Sequence, residues 1–161
     1  MKELSQLADH SRVWIYQSER NLTEEEVHEI HSAAQVFLED WTSHGSTMNA
    51  AFDILHQRFI VFAVDEQTVP ASGCGIDKSV RFLQELSTRM KIDFFQRTVI
   101  VYQNESGWEE APLNKFWAMR KALIVNDQTL VCDTTMRTLG GLREKLIVAF
   151  KDSWHSEMWG R

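Results

Sequence analysis

The chain predicts an α+β fold, a ferredoxin-like βαββαβ sandwich core with a C-terminal helix and strand extension. Three observations carry this prediction. Apolar, β-branched stretches and amphipathic helical ones follow in the order strand, helix, two strands, helix, strand. A T-x-x-E capping box at Thr23 and Glu26 marks the start of the first helix. Residues 59–64 form an unbroken apolar run, which suits the central third strand of that topology with both faces covered.

Taken in order, residues 1–10 are polar and read as a lightly packed lead-in. Residues 12–18 are rich in β-branched and aromatic side chains and read as a strand. In the capping box, Thr23 and Glu26 each satisfy a free backbone N–H of the helix end, Leu22 and Val27 close a hydrophobic staple, and Glu24 and Glu25 lie at the positive end of the helix dipole. Val27, Ile30, Ala34, Phe37, Leu38 and Trp41 then recur at helical spacing, and Gly45 is a natural stop. Residues 52–55 and 58–64 read as two strands. His56-Gln57 between them carries no Asn-Gly signal, so one long bent strand is the alternative.

After a turn over residues 72–77, Ile76, Val80, Leu83, Leu86 and Met90 mark a second amphipathic helix. Residues 98–103 are a further strand, ended by the polar stretch 104–107. In the last third, Pro112 stands near the start of a helix carrying Leu113, Phe116, Trp117 and Leu123. A short strand over 129–133 follows. Gly140-Gly141 breaks the chain before the apolar stretch 142–150, and a tail with Trp154 and Trp159 is expected to dock onto the body. A ferredoxin-like sheet leaves one face open, so the second face of the 59–64 strand needs a cover. The last third and a second copy of the chain are the two candidates.

The 161 residues are 43% hydrophobic, enough for one domain spanning 1–161 with a proper core. A net charge of -6 argues against a nucleic-acid partner, which would require a basic face. No apolar run approaches membrane-span length and the N-terminus lacks a signal-peptide core, so a cytoplasmic protein without a membrane partner is expected. The two cysteines, Cys74 and Cys132, lack CxxC or zinc spacing and are expected as free thiols.

Several segments, 11–18, 41–45, 64–66, 71–82 and 152–155, resemble a family of small uncharacterised Bacteroidetes proteins often labelled "ABC transporter ATPase". The resemblance spans nearly the whole chain and implies a bacterial cytoplasmic protein without an established activity. The ATPase label fails on physical grounds. It requires G-x-x-x-x-G-K-[ST] to hold phosphates, and this sequence contains no Gly-Lys pair.

The residues that carry candidate chemistry cluster at the turn into the second helix. Cys74, between Gly73 and Gly75, stands where a helix N-terminus favours the thiolate. A cysteine nucleophile also requires a base and an orienting acid. His44 and His155 are the candidate bases and Asp65 or Asp77 the candidate acid, provided the fold brings them together. Alternatively Cys74 is a small thiol filling a turn, capped by Ser72 or Asp77. Ser72, Gly73, Gly75 and Asp77 could also hold a ligand on backbone N–H groups, with Trp41 and Trp154 lining a pocket, or these residues could serve only turn and core. Asp65 and Glu66 read either as paired carboxylates or as an ordinary loop entry. His28 and His31 are three apart on a solvated acidic helix face without a third ligand, so no metal is expected, and no cofactor fingerprint appears.

Two functions follow. The first is a non-enzymatic binding or interaction module for a small molecule or protein, which self-associates. The second is a small thiol-dependent enzyme using Cys74.

Overall fold

The computed structural model describes residues 2–43 and 45–158. Two positions singled out above, His44 and Trp159, lie outside them. The fold is α+β, with five α-helices and two main antiparallel sheets among the described residues. No helix among them is long and apolar enough to cross a membrane.

The first sheet is built from β1 (Arg12–Gln17), β4 (Asn49–Leu55) and β5 (Phe59–Asp65), in the order β1-β5-β4. β5 is central, pairing antiparallel with both neighbours, Ile15 opposite Val61 and Phe52 opposite Phe62. Two helices cover one face, α1 (Glu24–Asp40) and α2 (Gly73–Met90). Ile30, Ala34 and Leu38 of α1 and Leu83 and Leu86 of α2 join Ile60, Phe62 and Val64 of β5 in one core cluster. The capping box forms as the spacing predicts. Thr23 Oγ1 accepts the Glu26 N–H at 3.2 Å, and Glu26 Oε2 accepts the Thr23 N–H at 2.8 Å. A minor ribbon of β2 (Thr42–Ser43) and β3 (Ser46–Thr47) follows α1.

The β4–β5 connection is a tight hairpin of three residues, His56, Gln57 and Arg58, not one bent strand. His56 and Gln57 both have positive φ, 54° and 53°, and the Arg58 N–H closes onto the Leu55 carbonyl at 3.0 Å. This backbone is the one that Asn-Gly adopts cheaply, and here two L-residues hold it against their steric preference.

The predicted fourth core strand, β6 (Val99–Asn104), lies in the other sheet and does not pair with β1. That sheet runs β7-β6-β8-β9, with β7 (Gly107–Pro112), β8 (Leu130–Cys132) and β9 (Ile147–Ala149). A tight hairpin, with Gly107 at φ 118°, pairs β6 with β7 at once. The other edge of β6 is taken by β8, with Tyr102 opposite Val131, so neither edge is left for β1. β6 is also apolar on both sides. Ile100 and Tyr102 pack with Phe116 of α3 (Leu113–Lys121), whereas Val101 faces the first sheet's core. β7 escaped the sequence reading because Trp108, Glu109 and Glu110 present an exposed, charged edge.

The second face of β5 is covered by the same chain. Phe59, Val61 and Ala63 meet Leu4 and Leu7 from the N-terminus, and Leu139, Leu142 and Leu146 from α4 (Leu139–Lys145) and its end. Self-association is therefore not required to bury that face. The N-terminal lead-in is a packed part of the core, because a 3₁₀ turn over Leu4–Gln6 sends Leu4 and Leu7 inward. The Arg143 guanidinium holds it by donating to the Leu4 and Leu7 carbonyls at 2.8 and 3.2 Å. Gly140-Gly141 begins α4 instead of breaking the chain. Thr138 Oγ1 accepts the Gly141 N–H at 3.1 Å, and a Cβ on Gly140 would stand 3.0 Å from that of Asp9. The tail docks as expected, through α5 (Trp154–Met158), which buries His155 and Ser156.

Candidate functional site

The departure of β6 leaves its mark on β1. The Ser18 N–H donates to the Arg58 carbonyl at 2.9 Å, and antiparallel alternation then turns the backbone groups of Trp14 and Tyr16 toward β5 and those of Val13, Ile15 and Gln17 outward. The two ends of this outer edge are occupied. The Val13 N–H donates to the Arg137 carbonyl at 3.0 Å, and the Gln17 carbonyl accepts the Gln96 N–H at 3.0 Å. Between them, beside Ile15, the slot opens into a cleft of about 300 Å³ at the seam of the two sheets.

The walls are mixed. Ile15, Tyr16, Phe95 and Val99 are apolar or aromatic, whereas Thr134, Thr135 and Arg97 are polar. Gln17 spans one side, its amide donating to the Val99 carbonyl at 3.2 Å. On the far wall stand Cys132, Trp154 and His155. His155 is only 4% exposed, and its Nδ1 is buried without a hydrogen-bond partner. A buried polar atom left unpaired costs about 1–3 kcal/mol, so such a group calls for an explanation.

Asp133 sets the imidazole's position. Its Oδ2 accepts the Trp154 N–H at 2.9 Å at the start of α5, and its Oδ1 accepts the N–H and hydroxyl of Thr135 at 2.9 and 2.6 Å. Its own N–H donates to the Leu146 carbonyl at 2.8 Å. One buried carboxylate thus ties the β8 end to the residue preceding His155. The Trp154 ring leans over the His155 ring at 4.4 Å between centroids. Burial pushes the His155 imidazole down to about 4, opposed by the Asp133 charge. Burial likewise pushes the Cys132 thiol up to about 12, with Arg58 opposing. At neutral pH the cleft therefore holds a neutral imidazole and a neutral thiol.

The sequence candidates are distributed differently. Cys74 is exposed in the first turn of α2 and does not line the cleft that holds His155. Ser72 is the cap of that helix, accepting the Gly75 N–H at 3.1 Å and the Ser43 hydroxyl at 2.9 Å, while Asp77 is exposed one turn on. Gly73 faces open space. Trp41 is buried, and its indole N–H donates to the Gly75 carbonyl at 2.8 Å, pinning the turn to the end of α1. Asp65 accepts the Gln67 N–H at 3.0 Å and pairs with His10 at 3.1 Å, and these two partners hold its carboxyl below the usual range. Glu66 accepts the Ala71 N–H at 3.1 Å. Both acids are thus engaged in the loop between β5 and α2. Of the residues proposed as one catalytic group, His155 lines the seam cleft together with the pocket candidate Trp154, Cys74 and Asp65 do not line it, and His44 lies outside the described residues.

Comparison with protein-family models, with curated proteins and with solved structures returns no match for this chain. The site therefore rests on its own geometry. Sequence reasoning passed over Gln17, Arg97, Cys132, Thr134 and Thr135 as cleft residues. The one local signal was Asp133 with two threonines after a short strand, a typical turn-forming run. Among the described residues no cluster of three or more His, Cys, Asp and Glu side chains could hold a metal. A larger, shallow groove of about 720 Å³ runs between α1 and α2, floored by Phe37 and Phe82 stacked at 4.5 Å. Among the described residues it contains no buried polar atom without a partner.

Proposed function

We propose that this protein is a non-enzymatic binding module whose ligand occupies the seam cleft beside β1. The observation that carries the reading is that His155, an imidazole only 4% exposed whose Nδ1 has no hydrogen-bond partner, lines the cleft. Pockets combine apolar walls with a few oriented polar groups, and a volume of about 300 Å³ suits a fragment-sized molecule. On this reading β1, α1, β4, β5 and α2 are a ferredoxin-like core in which the fourth-strand slot has become the binding site. Membership of the small bacterial family resembled above, and a cytoplasmic setting, belong to the same proposal. The unpaired state of Cys74 and Cys132 supports the latter.

The thiol-dependent alternative draws less support. Cys132, the thiol beside His155, is held protonated, and Cys74 does not line the cleft of that histidine. The test is a ligand-observed NMR screen of a few hundred fragments, with hits mapped by the His155 ring and Trp154 indole resonances. At least one hit should move both and be weakened in His155→Phe, which keeps an aromatic ring but removes the imidazole nitrogens. A screen in which no fragment moves either resonance would overturn the reading.

A further inference from the structure

We infer that the seam cleft takes a small carboxylate, with the Arg97 guanidinium as its charge partner and the apolar wall of Ile15, Phe95 and Val99 against its body. This rests on the reading of the cleft as a binding site and adds the class of ligand. Arg97 is the one formally charged side chain among the described lining residues at neutral pH, and no Asp or Glu is among them. In a chain of net charge -6, that is a local reversal of sign.

Six of the other arginines, Arg12, Arg20, Arg58, Arg89, Arg120 and Arg143, each face a carboxylate of their own chain. Among the described residues Arg81 and Arg137 stand in no such pair, but they do not line this cleft. Arg97 has no such partner among the described residues, although it is close enough to Tyr16 to favour that phenolate. A planar guanidinium matches a carboxylate in a two-pronged geometry that a point charge cannot reproduce. The neighbouring groups suit the same ligand. The Thr134 and Thr135 hydroxyls line the cleft, and the Ile15 N–H is turned outward beside it. The neutral imidazole of His155 adds no charge to the same wall. A cationic ligand would meet Arg97 at close range, and a neutral one would leave it unpaired.

The experiment compares three probes of one shape, benzoate, benzamide and benzylamine, titrated into the full chain and followed by amide and indole NMR shifts of Ile15, Arg97, Thr135 and Trp154. Benzoate should saturate these shifts at least about tenfold more tightly than benzamide and benzylamine. Arg97→Gln should abolish the preference for benzoate, bringing its affinity to that of benzamide, and Arg97 is exposed, so the change leaves the core packing alone. Benzamide or benzylamine binding in the cleft as tightly as benzoate would overturn the carboxylate class and leave the binding site standing. A benzoate preference that survives Arg97→Gln would overturn the role of Arg97 and the inference with it. If none of the three moves the cleft resonances, the carboxylate class and the binding-site reading fall together.

Discussion

Lowering the pH should destabilise this protein through His155 before most of its carboxylates titrate. The imidazole has an ordinary pKa of 6.5 and is held at about 4 in the folded chain, chiefly by burial. Between those values the unfolded chain binds a proton that the native chain refuses. Stability contributed here is therefore complete above about pH 6.5 and declines as pH falls through the window. At pH 5 the unfolded imidazole is almost fully protonated and the native one about one-tenth so, a loss of about 2 kcal/mol, approaching about 3 kcal/mol below pH 4. Against a total stability of about 5–15 kcal/mol for a domain, that is a large share. Urea unfolding followed by tryptophan fluorescence at pH 7.5, 6 and 5 measures it, with His155→Gln as the non-titrating control. From pH 7.5 to 5 the parent chain should lose about 2 kcal/mol more than the variant. Parallel losses in the two proteins would refute the argument, since they would mean that the native imidazole is already solvated.

Three other outcomes are expected. Gln57→Gly and Leu123→Gly should each stabilise by up to about 1 kcal/mol in chemical denaturation, since both positions hold an L-residue at positive φ, 53° and 61°, and Leu123 is 85% exposed with little packing to lose. Iodoacetamide on the folded protein at pH 8 should give one adduct by mass spectrometry, on Cys74, because Cys132 is buried with its thiol near 12; equal labelling of both would contradict the packing of β8. Glu110→Gln should cost about 2 kcal/mol, because it leaves the buried Arg58 guanidinium without its carboxylate and loosens the hairpin turn from β7; a loss below about 0.5 kcal/mol in urea would show that the pair is solvated.

Some of this molecule is local, and that part is legible in the chain. The Thr23–Glu26 box is a four-residue event whose partners are adjacent in sequence, so the start of α1 follows from residue identity alone. The unbroken run at Phe59–Asp65 likewise announces a strand with two buried faces, and β5 has them. Other elements were hidden because the deciding partner is remote. Leu4 and Leu7 look like isolated apolar residues in a polar stretch until Arg143 binds their carbonyls from α4. His56-Gln57 gives no turn signal, since the pairing of β4 with β5 imposes the positive φ values.

The candidate site divides the same way. His155 and Trp154 were visible as chemistry-bearing residues near the end of the chain, but nothing near them in sequence shows which wall they face. β6 lies between β7 and β8 in the second sheet, which leaves the slot beside Ile15, and Asp133 holds the start of α5 by accepting the Trp154 N–H. The sequence by itself determined the start of α1, the two-faced central strand, the acidic charge and the two unpaired thiols, because these depend on neighbours within a few residues or on composition. Only the tertiary structure decided that the fourth strand leaves the first sheet, that the chain covers its own second face, and that Cys74 and His155 line different surroundings. Those outcomes depend on which distant segments compete for one strand edge, and that competition is settled by long-range pairing and packing.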